Sequence, residues 1–135
     1  MVQTNAIFRM DAGSGVPLYR QVIDQVLLAV ADGRLKPGMQ LPTVRQLAVD
    51  LAVNLNTVAR AYREMEIRGI VQTQQGTGTF VAAPRVDGRK SSDRKKSLEQ
   101  LVDRYIAIAL SKGFSIEELL DAISRRVEKK ERRSS

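Results

Sequence analysis

The 135-residue sequence predicts a mainly α-helical fold carrying one small β-hairpin, α+β in class. Three features predict it. Two short amphipathic segments, 43–51 and 55–68, are separated only by Ala52, Val53 and a capping Asn54. Two β-prone runs follow at once, flanking Gln75-Gly76-Thr77-Gly78. Apolar residues at helical spacing precede this block once and follow it twice. Two helices crossing over a short turn let the second project into a DNA major groove, and a hairpin beyond it can lie against the neighbouring backbone. The pattern is that of an N-terminal winged helix-turn-helix followed by a short C-terminal helical hairpin that dimerises. Its expected divisions are 1–83 for the winged domain, 84–96 for a basic linker and 97–135 for the helical tail.

Composition narrows the chemistry. Apolar residues make up 43% of the chain and aromatics 4%, so a small, mostly aliphatic core is expected. Cys and His are both absent, which removes thiolate and imidazole as metal ligands, bases and nucleophiles. No set of Asp, Glu, Lys or Ser converges on a catalytic arrangement, so neither an enzyme nor a cofactor or metal site is expected. No apolar run is long enough to span a bilayer, and the N-terminus lacks the basic-then-apolar order of an export signal. A cytoplasmic location is expected. The net charge is +7, which invites a polyanionic partner. Residues 1–84 hold eight Lys/Arg against six Asp/Glu, and residues 85–135 hold fourteen against nine. Most of the excess therefore lies outside the reading head.

In chain order, Ala6 to Met10 is predicted extended and Asp11 to Gly15 reads as a turn. Pro17 suits a first helical position. Leu18, Val22, Val26 and Val30, with Tyr19, Ile23 and Leu27 beside them, give a helix over about 17–32 stopped by Gly33. Met39 to Leu41 suggests a short strand. Thr43 is the expected N-cap of the next helix, whose apolar face is Val44, Leu47, Ala48 and Leu51. Asn54 caps the one after. At about 100° per residue, Val58, Ala61, Tyr62 and Met65 fall in one arc of that helix. Asn56, Arg60 and Arg63 fall opposite, with Thr57 on the flank. Arg bridges guanine O6 and N7, and Asn bridges adenine N6 and N7. Any amphipathic surface helix shows polar residues outside, so the stripe gains meaning only from its place between the cap-helix-turn unit and the hairpin. Gly76 and Thr77 sit at the hairpin tip, where glycine permits a tight turn and close approach to phosphate.

Beyond the hairpin, Arg85, Arg89, Lys90, Arg94, Lys95 and Lys96 accumulate in a stretch nearly free of apolar residues. It reads as a solvated connector with added phosphate attraction, merging into the next helix after Ser91 or Ser92 as an alternative. The tail then places Leu98, Leu101, Val102, Tyr105, Ile106, Ile108 and Ala109 on a wide stripe ended by Gly113. Ser115 with Glu118 forms a capping box, and Phe114 with Leu119 is placed for a hydrophobic staple. Ile116, Leu119, Leu120, Ile123 and Val127 line the last helix. Two such helices are too few for an independent core. They pack either on the winged domain or on a second copy; the charged linker argues for the copy, with Leu101, Tyr105, Ile108, Leu119, Leu120 and Ile123 as the dimer contacts.

The stretch Leu41 to Val81, LPTVRQLAVDLAVNLNTVARAYREMEIRGIVQTQQGTGTFV, resembles the GntR family of bacterial transcription regulators. With IFRMDAGSGVPLYRQVIDQV before it and a short helical tail after it, the chain looks like the YtrA-like branch. The resemblance implies a homodimer on a palindromic double-stranded operator, most often as a repressor. It carries DNA contacts to Thr43, Arg45, Asn54, Asn56, Thr57, Arg60 and Gly76. The short tail leaves a small-molecule effector open. Three departures stand out. Ala52 replaces the usual Gly of the turn, Leu55 replaces a base-reading Arg of many relatives, and the wing run QTQQ is neutral where relatives are often basic. Two other readings compete: a winged helix that docks a protein partner, and a fragment of a fused aminotransferase. The outward stripe offers little apolar surface for the first, and no pyridoxal-phosphate domain is present for the second.

Overall fold

The computed structural model describes residues 2–83 and 88–134. The elements are α1 (Thr4–Ile7), a 3-10 turn (Ala12–Ser14), α2 (Leu18–Ala31), α3 (Val44–Leu51), α4 (Leu55–Ile67), β1 (Val71–Gln74), β2 (Gly78–Val81), α5 (Ser91–Ser111) and α6 (Ile116–Ser134). They fall into two units, one on either side of residues 84–87. The architecture is mainly helical with one two-stranded antiparallel sheet.

In the first unit α2, α3 and α4 form a three-helix core with the hairpin packed on α4. Val22, Ile23, Val26 and Ala29 of α2, Leu47 and Ala48 of α3, and Val58, Ala61, Tyr62 and Met65 of α4 are buried together with Leu35, Leu41, Val71 and Val81. The four α4 residues are the arc that helical spacing picks out. Pro17 is the N-cap of α2 rather than its first helical residue, and Gly33 follows its C-cap at φ +83°.

The segment 6–10, expected as extended, starts with a turn of helix: Thr4–Ile7 is α1. Ile7 and Phe8 are adjacent and both buried, which a half-exposed strand with alternating faces does not allow. The amide of Gln25 takes the place of a pairing strand. It accepts from Arg9 N at 2.5 Å and donates to Arg9 O at 2.6 Å. Buried Gln21 does the same one turn earlier, bonding Asp11 N, Asp11 O, Ser14 Oγ and Val16 O. Two glutamines of α2 thus hold the N-terminal strap by side-chain amides.

Met39 to Leu41 makes a single bridge, Gln40 to Phe80, in place of a full strand. Leu41 N donates to Thr79 O and Val81 N to Met39 O, each at 2.8 Å. This stitches the root of the hairpin to the loop before α3.

Between α3 and α4, Ala52 adopts φ 54°, ψ 43°, the left-handed region. A Cβ there meets the following carbonyl, a cost of roughly 1 kcal/mol that glycine avoids. The turn closes nonetheless because the Ala52 and Val53 amides donate to the last carbonyls of α3. Ala52→Gly is therefore expected to stabilise the first unit by about 0.5–1 kcal/mol. Thermal melting of the two chains checks it; no gain would mean that the unfolded chain's added freedom cancels the strain.

In the second unit, α5 begins at Ser91, six residues before the position expected for the tail. Residues 91–96, placed in the linker from their charge with a helix start after Ser91 or Ser92 as the alternative, are its first turns, so the alternative holds. Asp93 lies in the first turn, where a negative charge favours the helix N-terminus. Arg94, Lys95 and Lys96 are strong helix formers that an apolar-periodicity test does not register. Residues 84–87 of that linker, Arg85 among them, lie outside the described residues. Gly113, at φ +88°, follows the C-cap of α5. The capping box is present: Ser115 N donates to Glu118 Oε2 at 3.2 Å, and Glu118 N to Ser115 Oγ at 3.0 Å.

The stripes of this unit stay uncovered. Ala109 is its one buried residue among those described. Leu98, Leu101, Val102, Tyr105, Ile108, Ile116, Leu120, Ile123 and Val127 are all exposed, Tyr105 at 57% and Leu120 at 61%. Leu119 is half-buried.

Candidate nucleic-acid interface

The helix-turn-helix begins at two caps. Thr43 Oγ1 accepts from Gln46 N at 3.0 Å, and Asn54 Oδ1 accepts from Asn56 N at 2.7 Å. Capping uses an oxygen acceptor. It leaves the Thr43 hydroxyl proton and the Asn54 Nδ2 protons free to donate, and a phosphate oxygen only accepts. Both caps are exposed. Each helix therefore presents its electropositive N-terminus with a side-chain donor beside it.

The recognition helix, α4, is fixed by more than packing. Tyr62 is buried, and its hydroxyl donates to Pro42 O at 2.5 Å. Burial pushes this phenol well above its ordinary range, so it stays protonated and donating. The bond ties the middle of α4 to the residue just before the α3 cap. The two helices are thus held in one crossing by the core and by a buried hydrogen bond within it.

On the outward stripe Asn56, Arg60 and Arg63 are exposed and Thr57 is half-buried. Arg60 lies with its guanidinium over the Tyr19 ring, 3.8 Å from the centroid. Its Nε is 3.8 Å from Glu64 Oε1, and Arg68 reaches the other oxygen of Glu64 at 3.6 Å. Arg45, on α3, is exposed. Arg45 and Arg63 form no ion pair with any described residue. Leu55, in the first turn of α4, is exposed at 43%.

The wing pairs Val71 with Val81 and Gln74 with Gly78. Its tip is Gln75-Gly76-Thr77, exposed throughout, closed by Thr77 N donating to Gln74 O at 3.0 Å. Gly76 sits at φ +77° with open space where a side chain would stand. Gly78 is also held at a positive φ, +141°, and has a second reason to be glycine. A Cβ on it would run into the side-chain amide of Gln40, which donates to Thr77 O at 3.1 Å. Gln40 thus braces the wing tip from the loop before α3.

Thr43, Arg45, Asn54, Asn56, Thr57, Arg60, Arg63, Gly76 and Thr77 all belong to the first unit, while Leu101, Tyr105, Ile108, Leu119, Leu120 and Ile123 belong to the second. Tyr19 and Gln40 were missed by sequence reasoning. Tyr19 passes there for an ordinary core-facing residue of α2, and Gln40 carries no signal beyond a possible strand. Among the described residues no cluster of three or more acidic side chains is placed to hold a metal, and no helix is long and apolar enough to cross a membrane.

Comparison with known proteins agrees with this geometry. Residues 18–81 match the family model described as bacterial regulatory proteins, gntR family. The chain is 40% identical over 112 residues to the HTH-type transcriptional regulator YhcF of Bacillus subtilis (strain 168), covering 82% of this chain and 89% of that one. It is 33% identical over 105 residues to the HTH-type transcriptional repressor YtrA of the same organism, covering 75% and 81%. Among solved structures, a transcriptional antiterminator from Listeria monocytogenes EGD-e superimposes with a TM-score of 0.69 at 29% identity, covering 90% of each chain. A fold of α2, α3, α4 and a glycine-tipped wing, with helices beyond it and relatives matched over most of their length, has one assignment: the chain is a winged-helix DNA-binding transcription regulator belonging to the GntR family.

Proposed function

We propose that the protein binds a two-fold-symmetric operator as a homodimer and represses transcription there. The observation that carries the dimer is the pair of uncovered apolar stripes on α5 and α6. Contiguous exposed apolar surface of this kind marks an interaction site. A second copy covers it by a closed two-fold contact, with Leu101, Tyr105, Ile108, Leu120 and Ile123 at its centre and half-buried Leu119 at its edge. Two reading heads related by that axis read the two halves of a palindrome. Repression is supported by the similarity to YtrA, which is named a repressor.

In this reading Arg60 and Asn56 contact base edges. Arg45, Arg63 and the capping donors of Thr43 and Asn54 hold the phosphate backbone, as do the backbone of Gly76 and the side chain of Thr77 at the wing tip. The protein acts in the cytoplasm and needs no metal or cofactor. Selecting bound sites from random duplex DNA with the purified chain tests this. A two-fold consensus supports operator reading and stoichiometry together, whereas an asymmetric site or none would refute it.

The basic start of α5 adds affinity without sequence. Arg94, Lys95 and Lys96 are exposed. For every phosphate that a protein ceases to neutralise, the log–log salt slope falls by about 0.9. Replacing these three residues by Gln is expected to flatten the salt dependence of binding to random duplex. An unchanged slope would show that this end of α5 stands away from DNA.

A further inference from the structure

Arg60 combines three features that matter together. Its guanidinium lies over the Tyr19 ring at 3.8 Å from the centroid, its Nε faces Glu64 at 3.8 Å, and its side chain is still 56% exposed. A guanidinium stacked by its flat face keeps its N–H donors around the edge. The ion pair with Glu64 engages Nε, the nitrogen nearest the stem, and it is long. Nη1 and Nη2, which would form the fork on guanine O6 and N7, take no partner among the described residues. A device that parked Arg60 out of use would instead occupy those two nitrogens.

Tyr19 is a firm platform. It stands in the first turn of α2, is half-buried and packs against the core, and α2 packs directly on α4. Leu18, Tyr19, Asn56, Thr57 and Arg60 line one shallow groove. The ring therefore sits beside the proposed base-reading side chains, although it belongs to neither helix of the helix-turn-helix.

We infer that Tyr19 is a positioning residue for base reading: its ring holds the Arg60 guanidinium in the orientation that presents Nη1 and Nη2 to a guanine. This rests on the operator reading proposed above and adds how that reading is made specific. A free arginine samples many rotamers, and ordering it at an interface weakens binding. Holding it beforehand is worth roughly two- to tenfold in affinity per side chain, and only on a site with the matching base.

The test measures binding of the full-length chain to its selected operator and to the same duplex changed at the base pair for which Arg60→Ala loses preference. Tyr19→Leu, which fills the space without a ring face, is expected to lower the operator-to-changed-site ratio roughly two- to tenfold. Tyr19→Phe, which keeps the ring, restores the ratio. In an Arg60→Ala background Tyr19→Leu has no further effect on it, because there is nothing left to position. Melting curves accompany each variant, and Tyr19→Met replaces Tyr19→Leu if the latter melts early. Equal losses with and without Arg60 would overturn the inference, as would equal weakening on both duplexes or tighter operator binding on loss of the ring. Failure of the wild-type chain to select any site would instead refute the operator reading itself.

Discussion

A chain ending at Arg85 is expected to be a folded monomer that binds operator at least a hundredfold more weakly than the full-length protein. Folding survives because the buried set from Ile7 to Val81 lies wholly in the first unit. Dimerisation is abolished because Tyr105, Leu120 and the rest of the exposed stripes go with the tail. Tethering two heads makes binding of the second half-site intramolecular, a gain of about 10²–10⁴ with no added interface. Sedimentation at micromolar concentration and binding curves on operator and half-operator measure the two effects separately. A truncated chain that still sediments as a dimer would place the interface in the first unit.

The next largest effect is expected from Arg60→Ala. One good bidentate pair is worth about 1–3 kcal/mol of discrimination, and the proposed symmetric dimer would forfeit it in both half-sites. Operator binding should therefore fall steeply, and preference should relax at one base pair in each half. Arg45→Ala provides the contrast. Arg45 stands exposed in the first turn of α3, just after the cap, where the partner is expected to be phosphate. Its removal should weaken operator and random duplex by similar factors. Neither arginine is buried, so both variants should melt with the wild type. If Arg60→Ala weakened both duplexes equally, Asn56 and Arg60 would not mark the base-reading face.

Chemistry confined to a few neighbouring residues is what the sequence makes legible. Thr43, Asn54 and the Ser115–Glu118 box cap their helices because a cap joins residues two or three apart. Gly33 and Gly113 stop helices because a positive φ is a property of one residue. The buried arc of α4 follows from a period of 3.6 alone. The misreadings have equally physical sources. Ile7 and Phe8 read as a strand because β-propensity reports a fit to packed surface; here that surface is the core of the first unit, and the amide of Gln25, not a strand, bonds the neighbouring Arg9 backbone. The start of α5 reads as linker or as helix alike, because its helical propensity comes from lysines and arginine with no apolar period. Tyr19 over Arg60, and Gln40 under Thr77, join residues 41 and 37 positions apart. No local spacing encodes such pairs.

The bond from Tyr62 to Pro42 separates the two reading elements in time as well as in space. The α4 backbone around Val58, Ala61 and Met65 can open only by breaking that bond and exposing the core, so its amide protons should exchange at the rate set by unfolding of the whole unit. The wing is a two-stranded ribbon braced through the loop at Met39 to Leu41, and ribbons of this size are marginal by themselves. Its tip amides should exchange orders of magnitude faster. Under the proposed operator reading, hydrogen exchange would thus resolve a stiff element that sets register on the bases and a compliant one that follows the backbone. Sequence-dependent variation in groove width would then be absorbed by Gln75 to Thr77 without disturbing where Arg60 points.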